Sequence, residues 1–320
     1  MAVRSLIVVG ASAGGVGALR SLAASLPGDL PAAVAVVLHI GRHRSELATI
    51  LDRAGPLAAA EARNDEPLVE GRIYVAGPDC HLLVAGERLH LQRGPRENFA
   101  RPAIDPLFRT AAESFGPRAI GVILSGRLND GTVGLYEIKR RGGLAVVQSP
   151  EDAQYPEMPA SALRHVAVDH RVALAEIPPL LARLAAKLAA PTSIPRPAEE
   201  VIDMTANYVL ERPTALTCPE CGGAMDGKDI GTLQQYRCHI GHAYTAEAMA
   251  SAHLDRMEAG MEKALRLLNE RIEICRRMAE RPEVPDEKMK AAWFGAMEQA
   301  EQRADAMGEL LSAGWLAPEE

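Results

Sequence analysis

Five short, almost uninterrupted apolar runs constrain the fold more than any other feature of this chain. They alternate with longer helix-like stretches, and they read SLIVVG, AVAVVLHI, RIYVAG, AIGVILSG and LAVVQSP. Such runs are typical of strands that are buried on both faces of a sheet. The segment HLLVAGERLHLQRG instead alternates around Gly86 and predicts an antiparallel β-hairpin. The sequence therefore predicts an α/β fold with a doubly wound, mainly parallel sheet, helices on both faces and a β-hairpin.

Changes in composition divide the 320-residue chain into four parts. Residues 1–188 contain the predicted α/β domain, and the Pro- and Ala-containing stretch that follows predicts a linker over 189–215. A small Gly- and Cys-rich unit occupies 216–245. Residues 246–320 predict a helical hairpin. We expect the linker to leave the last two parts independent of the α/β domain.

The hairpin prediction rests on apolar residues at three- and four-residue spacing, which place one stripe on each of two helices. The segment RPEVPD separates the two stripes. We expect the stripes mainly to pack on each other, with their methionines able to adapt to a partner helix. The stripes contain Leu254, Met257, Met261, Leu265, Leu268, Ile272 and Cys275, then Met289, Trp293, Met297, Ala300, Ala304, Met307 and Leu311.

Charge and composition exclude several classes of function. The net charge is −7 and the basic residues are scattered, so the chain lacks the basic patch of a nucleic-acid-binding protein. No apolar stretch approaches the roughly 20 residues of a membrane-spanning helix, and no signal peptide precedes the first strand. Three of the five cysteines lie between residues 218 and 238, which favours a metal site in a reducing compartment over disulfides. We therefore expect a cytoplasmic protein.

The glycine-rich segment VVGASAGGVGAL after the first strand allows several interpretations. A dinucleotide-binding loop needs glycine in place of Ser12 and an acidic residue at the end of the second strand, where His39 stands. A Walker A loop needs lysine after Gly15, where Val16 stands. Both phosphate-binding patterns fail, so we expect no organic cofactor. The remaining interpretations are a G-x-S-x-G turn that exposes Ser12 as a nucleophile, or a serine that only caps the next helix.

A nucleophilic serine needs an imidazole base and a carboxylate that orients the base. His39 ends the second predicted strand, and Asp130 lies in the turn after AIGVILSG. Alone, each has a structural explanation, as a strand-end histidine and a helix-capping aspartate. Together they predict a catalytic triad with Ser12, because the carboxyl ends of parallel strands meet at one edge of a sheet. The chain order Ser, His, Asp differs from that of α/β-hydrolases and disfavours that fold.

The Cys-rich unit has the spacing C-x2-C…C-x3-H, formed by Cys218, Cys221, Cys238 and His242. Paired ligands on tight turns suit a tetrahedral Zn²⁺ ion. Four protein ligands leave no position for a reactive water, so we expect the zinc to be structural. His239 is a competing fourth ligand, since it also neighbours Cys238.

Residues 1 to about 185 resemble the catalytic domain of the chemotaxis protein-glutamate methylesterases, the CheB-type family. The resemblance rests on the separated motifs VVGASAGG, VVLHI, IYVAGPDCHLLV, RPAIDPLF, GVILSG with NDGTVGL, and MPASAL. It implies a doubly wound sheet, the hydrolysis of glutamate methyl esters on chemoreceptors, and a triad of Ser12, His39 and Asp130. The family's usual Thr-Gly-Met-Gly is here SGRL, so Arg127 replaces a methionine whose backbone belongs to the oxyanion hole. We expect the N–H groups of Ala13 and Arg127 to form that hole.

The predicted function is a serine carboxylesterase that demethylates a methylated chemoreceptor or receptor-like protein and releases methanol. The family's familiar architecture has an N-terminal receiver domain, whereas this chain begins at the first catalytic strand. We therefore expect regulation by a separate receiver or methyltransferase partner, or none. The alternative is a catalytically weak or vestigial esterase that acts as a signalling scaffold or adaptor through the zinc unit and the helical hairpin.

Overall fold

The computed structural model describes residues 3–40, 45–188, 213–281 and 287–313. The chain divides into two compact units, residues 1–249 and residues 250–320. The strands are β1 (Leu6–Ala11), β2 (Ala33–Leu38), β3 (Ala58–Glu61), β4 (Glu66–Pro67), β5 (Arg72–Val75), β6 (His81–Ala85), β7 (Arg88–Gln92), β8 (Ala119–Ile123), β9 (Leu144–Gln148), β10 (His170–Val172), β11 (Pro213–Thr217), β12 (Ala224–Ile230), β13 (Leu233–Cys238) and β14 (Ala243–Thr245). The helices are α1 (Gly15–Ser25), α2 (Leu47–Ala54), α3 (Ile104–Phe115), α4 (Thr132–Arg140), α5 (Glu157–His165), α6 (Ile177–Leu188), α7 (Ala246–Ala279) and α8 (Glu287–Ser312).

The first unit is built on a seven-stranded sheet in the order β10-β9-β8-β1-β2-β5-β3. Every neighbouring pair in this sheet is parallel. The five apolar runs form β1, β2, β5, β8 and β9, so the predicted doubly wound parallel sheet is confirmed. The sequence analysis did not identify β3 and β10, the two edge strands. They are only four and three residues long, and the alanines of β3 have weak strand propensity.

The strand order reverses beside β1, because the chain adds β2 on one side of β1 and later returns to add β8 on the other. In open α/β sheets, ligands bind at the carboxyl ends of the strands that flank such a switch point. The carboxyl ends of β1, β2 and β8 are therefore the part of the fold where a site is expected.

Two apolar cores cover the two faces of the sheet. Along β1, Leu6 and Val8 belong to the core that includes side chains of α3, α4 and α5. Ile7 and Val9 point to the opposite core, with side chains of α1, α2 and α6. This alternation explains why β1 is apolar at every position, and it confirms the prediction of helices on both faces.

The predicted hairpin is formed by β6 and β7, which pair antiparallel around Gly86. The two-residue strand β4 pairs with β7 and completes a separate three-stranded sheet. Along the chain, the hairpin follows β5 and precedes α3. Side chains of both β6 and β7 belong to the apolar core that includes α3.

The Cys-rich unit is a four-stranded antiparallel sheet in the order β11-β12-β13-β14. Its first strand begins at Pro213, inside the stretch predicted as linker, and residues 189–212 of that stretch lie outside the described residues. This sheet belongs to the same compact unit as the seven-stranded sheet.

The helices α7 and α8 form the predicted C-terminal helical hairpin, and most of RPEVPD between them lies outside the described residues. The stripe side chains are half-buried or buried, except Met257 and Met289, which are 42% and 51% exposed. Cys275, Ala300 and Ala304 are the most deeply buried members of the two stripes. Across the described residues, no helix is both long and apolar enough for a membrane span.

Candidate active site and metal centre

Ser12 follows the last residue of β1 and lies in the turn that leads into α1. The turn depends on glycine, since Gly14 has φ 74° and its missing Cβ would come within 2.8 Å of Ser125 Oγ. The N–H of Ser12 donates to the carbonyl oxygen of Ser125 at 3.0 Å, which ties the turn to the end of β8. The half-buried Ser12 is therefore held at the carboxyl edge of the sheet by a constrained backbone.

The structure brings His39 and Asp130 to Ser12 from the two neighbouring strands. The Ser12 hydroxyl donates to His39 Nδ1 at 3.1 Å, and His39 Nε2–H donates to Asp130 Oδ2 at 2.7 Å. The His39 side chain is 20% exposed, whereas that of Asp130 is 2% exposed. This arrangement leaves a lone pair on Nδ1 for the serine proton and fixes the imidazole through the buried carboxylate. The motif alone left two interpretations of Ser12, a nucleophile or a cap of α1. In the structure its hydroxyl bonds to the imidazole, and α1 has no side-chain cap.

Asp130 is held as an anion by hydrogen bonds from the start of α3. Its Oδ2 accepts the N–H of Ile104 at 2.6 Å, and its Oδ1 accepts the N–H of Asp105 at 3.3 Å. Burial acts to raise the pKa of Asp130, but the hydrogen bond and charge of His39, with the N–H donors, outweigh it and lower that pKa. The first turn of a helix is a favourable site for an anion, so the fold itself keeps this carboxylate ionised.

Two further polar residues, Asn98 and Asp105, surround Asp130 and were not predicted as site residues. Asn98 Nδ2 donates to Asp130 Oδ1 and to Asp105 Oδ2, each at 3.0 Å. Burial, reinforced by the charge of Asp130, raises the pKa of Asp105 well above its ordinary value. The two buried carboxyl groups therefore divide their roles, with Asp105 retaining a proton more readily than Asp130. The motif RPAIDPLF contained Asp105, but nothing in its spacing showed that it would lie beside Asp130.

The residues expected to form an oxyanion hole, Ala13 and Arg127, lie on two loops that meet at Ser12. A Cβ built on Gly126 would lie 3.0 Å from Ser12 Cβ, so the Gly126–Arg127 backbone runs directly beside the serine. The guanidinium of Arg127 lies over the ring of Tyr155, with its Cζ at 5.2 Å from the ring centroid. The replacement of methionine by Arg127 changes the side chain and retains the peptide N–H at this position.

We expect Gly126→Ala to reduce esterase turnover, because the new methyl group would press on Ser12, the predicted nucleophile. It would meet Met158 Sδ at 2.0 Å and Ser12 Cβ at 3.0 Å. Met158 can move, but a shift of Ser12 misplaces the attacking oxygen, and a displacement of about 1 Å costs on the order of 10²-fold in rate. The matched control is Gly17→Ala in α1, where an added Cβ has no neighbour within 4 Å. The measurement is steady-state hydrolysis of a small ester by the two variants. Equal activity of the two would contradict the expected displacement of Ser12.

The predicted metal ligands come together in the Cys-rich unit. The ligand atoms of Cys218, Cys221, Cys238 and His242 all lie within 4.8 Å of one another. His242 Nδ1 lies 3.6 Å from Cys218 Sγ and 3.5 Å from Cys238 Sγ, and the Sγ atoms of Cys221 and Cys238 lie 3.7 Å apart. Three thiols and an imidazole at these separations are a donor set that suits tetrahedral zinc.

The surroundings of the cluster favour His242 over His239 as the fourth ligand. The other ring nitrogen of His242 lies 3.3 Å from Glu220 Oε2, and the Tyr244 hydroxyl donates to Glu220 Oε1 at 3.2 Å. A carboxylate on the distal nitrogen is the usual means of orienting a metal-binding imidazole. His239 is exposed and its ring lies against Gly223, outside the cluster.

Comparison with known proteins agrees with the fold and the site. The sequence pattern of the family described as CheB methylesterase matches residues 7–181. A Leptospira interrogans protein, provisionally named a protein-glutamate methylesterase/protein-glutamine glutaminase, is 41% identical over 180 residues, which are 56% of this chain and 93% of the relative. Protein-glutamate methylesterase/protein-glutamine glutaminase 5 of Anaeromyxobacter dehalogenans is 40% identical over 184 residues, covering 56% of this chain and 51% of the relative.

The same relationship is present among solved structures. The Thermotoga maritima CheB methylesterase catalytic domain superposes with a TM-score of 0.54 at 31% sequence identity. The match covers 56% of this chain and 98% of the Thermotoga domain. The parallel sheet that carries Ser12, His39 and Asp130 is therefore the part of the chain that these proteins share.

Proposed function

This chain belongs to the CheB methylesterase family, and from that premise we propose that it is a serine carboxylesterase that hydrolyses glutamate methyl esters on chemoreceptor-like proteins. The observation that carries the proposal is the hydrogen-bonded line from Ser12 through His39 to Asp130 at the switch point of the sheet. The names of the similar proteins support the class of substrate.

In the proposed reaction, Ser12 Oγ attacks the ester carbonyl while His39 Nδ1 accepts the hydroxyl proton. Asp130 holds the Nε2–H and stabilises the imidazolium that forms. The tetrahedral oxyanion would be bound by the N–H groups of Ala13 and Arg127. Collapse of the intermediate breaks the bond to the methoxy oxygen, and His39 returns the proton so that methanol leaves.

A water molecule then completes the cycle. His39 removes a proton from the water as it attacks the glutamyl ester of Ser12, and the serine leaves with a proton returned by His39. The products are methanol, a glutamate carboxylate whose proton is lost to solvent, and the free enzyme. No step needs a metal ion or an organic cofactor.

The same acyl-enzyme chemistry extends to an amide substrate. The names of the Leptospira and Anaeromyxobacter relatives include a glutaminase activity on protein glutamine. With glutamine in the site, His39 would protonate departing ammonia in place of methanol, and the second half of the reaction would be unchanged. The relative rates of the two activities can be measured with two peptides. One carries a glutamine side chain and is assayed for ammonia, and the other carries the glutamate methyl ester and is assayed for methanol.

A test in cells separates an esterase from a vestigial enzyme that acts as a scaffold or adaptor. Replacement of the chromosomal gene by the Ser12→Ala variant keeps the surfaces of the Cys-rich unit and the hairpin. Under the esterase proposal, mass spectrometry finds more methylated glutamate on receptor peptides in these cells than in wild-type cells. Equal methylation in the two strains would contradict the esterase proposal and favour the scaffold.

We further propose that Cys218, Cys221, Cys238 and His242 hold one structural Zn²⁺ ion. All four positions of a tetrahedral ion would be filled by the protein, and such an ion stabilises a small fold by about 10 kcal/mol or more. None of the five cysteines, all among the described residues, is in a disulfide, as is usual in a reducing compartment, and we place the protein in the cytoplasm. A separate receiver or methyltransferase remains the proposed kind of regulatory partner.

The zinc content of the purified protein tests this ligand set. Protein purified without chelator is expected to contain one zinc per chain, and Cys221→Ser is expected to lower that content, since it removes one of the four ligands. Cys80→Ser is the control, because Cys80 lies outside the cluster. Wild-type protein without zinc, or equal zinc in the two variants, would contradict this ligand set.

A further inference from the structure

The last strand of the Cys-rich unit pairs with the chain segment that precedes helix α3. The N–H of Ala243 in β14 donates to the carbonyl oxygen of Arg96 at 3.3 Å, and the N–H of Asn98 donates to the carbonyl oxygen of Ala243 at 2.8 Å. Phe99 packs on Tyr244 with ring centroids 4.8 Å apart. The segment from Arg96 to Phe99 is thus anchored on β14.

The Asn98 side chain connects this anchor to the triad. Its Oδ1 accepts the N–H of Thr245 in β14 at 3.1 Å, while its Nδ2 donates to Asp130 Oδ1 at 3.0 Å. Asn98 is 7% exposed and Thr245 is fully buried. A buried amide whose oxygen and nitrogen are both hydrogen-bonded has a single orientation. The position of β14 therefore determines where Asn98 Nδ2 lies relative to Asp130.

An ion-pair cluster secures the same segment. Glu97 is 1% exposed and lies between Arg109 of α3, at 2.8 Å, and Arg237 of β13, at 3.7 Å. Burial acts to raise the pKa of Glu97, but the charges of the two arginines outweigh it and lower that pKa. One guanidinium comes from the α/β domain and the other from the Cys-rich unit, so the carboxylate joins the two parts.

A second connection reaches the other side of Asp130. The Thr245 hydroxyl donates to Asn129 Oδ1 at 2.8 Å, and Asn129 Nδ2 donates to Glu247 Oε2 at 2.7 Å. Asn129 is the chain neighbour of Asp130 and is 2% exposed. Thr245 therefore holds Asn129, in the loop that carries Asp130, and also Asn98, which donates to Asp130.

We propose that the Cys-rich unit is a positioning element of the esterase, in which β14 holds Asn98 and Asn129 and these residues hold Asp130 in place for His39. The proposal rests on the proposed function of Ser12, His39 and Asp130. It also departs from the sequence-based expectation of an independent unit, because Thr245, which bonds to both Asn98 and Asn129, lies beyond the linker. Asn98 is a positioning residue, since it touches Asp130 and not the reacting atoms.

The first test removes the Asn98 amide in the full-length, zinc-loaded protein. Asn98→Gly suits this purpose because Asn98 has φ 48°, a conformation that glycine adopts without strain. We expect kcat for a small ester to fall about 10²-fold with little change in KM, since orientation of the base is lost while the substrate contacts remain. In proton NMR, the downfield signal of His39 Nε2–H is expected to shift or broaden. Unchanged kcat and an unchanged signal would overturn the role of Asn98.

The second test acts from the Cys-rich unit. Arg237→Gln removes one of the two charges that face Glu97 and replaces no metal ligand or triad residue, and Lys228→Gln is the control on an exposed position of β12. We expect kcat to fall about 10-fold in the first variant, because part of a positioning contact is lost, and to stay unchanged in the control. Asn98→Gly combined with Arg237→Gln should be no slower than Asn98→Gly alone, since both act through one contact. Losses that multiply, or no loss in Arg237→Gln, would contradict the proposal.

A third test of the positioning role removes zinc from the wild-type protein and needs no substitution. We expect chelation to lower kcat and to perturb the His39 Nε2–H signal, while circular dichroism shows that the helices of the α/β domain remain. Full turnover with an unperturbed signal after zinc loss would overturn the proposal. The NMR signal requires no substrate, so it tests the positioning role even if the wild-type chain hydrolyses no ester, an outcome that would refute only the proposed function.

Discussion

Ser12→Ala is expected to abolish ester hydrolysis, with a loss in kcat on the order of 10⁶-fold, as when the nucleophile of a serine protease is removed. The remaining residues would still bind the ester, but no oxygen would be placed to attack its carbonyl. The fold should survive, because Ser12 is half-buried and its hydroxyl bonds to His39 rather than to the core. The measurement is steady-state hydrolysis of a glutamyl methyl ester peptide, with thermal unfolding recorded for each protein.

The matched control for Ser12→Ala is Ser21→Ala, which changes an exposed serine in α1 and should leave both rate and stability nearly unchanged. Substantial turnover by folded Ser12→Ala would show that another residue attacks the ester. Loss of folding in Ser12→Ala would show instead that the turn between β1 and α1 depends on the hydroxyl.

Asp130→Asn is expected to lower kcat by about 10⁴-fold, the cost of the equivalent change in a serine protease. The four hydrogen bonds to Asp130 all come from N–H donors, contributed by His39, Asn98, Ile104 and Asp105. An amide replaces one acceptor oxygen by a donor, which leaves buried N–H groups unpaired and costs about 1–3 kcal/mol of stability. The imidazole loses both its orientation and the charge that stabilises its protonated form.

A control for Asp130→Asn is Asp169→Asn, which removes a carboxylate charge that pairs with Lys139 and accepts the N–H of Ala145. We expect that variant to lose some stability and to keep its kcat, because Asp169 lies on the loop before the edge strand β10, away from Ser12, His39 and Asp130. Equal kcat for the two variants would contradict the role given to Asp130. Chemical denaturation of both proteins separates the loss of stability from the loss of rate.

Much of the fold was predictable because its signals are local. Each apolar run in β1, β2, β5, β8 and β9 carries its own evidence of burial on both faces. The edge strands β3 and β10 carry no such evidence, since an edge strand needs few apolar residues and theirs are short. Helix spacing likewise predicted α7 and α8 without knowledge of any partner.

The candidate site was predictable as far as topology alone brings residues together. Ser12, His39 and Asp130 follow strands that lie side by side, so their proximity follows from the parallel sheet. The link between Asn98 and Thr245 joins residues 147 positions apart and depends on how two sheets dock. No periodicity or spacing in either segment reports such a contact, which is why the sequence predicted a separate unit.

The most direct test of the central claim incubates the purified, zinc-loaded chain with purified receptor fragments that carry glutamate methyl esters. Mass spectrometry of the receptor peptides and an assay of free methanol are read from the same sample. The account predicts one methanol for each methyl group lost, and neither product with Ser12→Ala. Intact methyl esters after incubation with folded wild-type protein, or equal methanol release by Ser12→Ala, would contradict it.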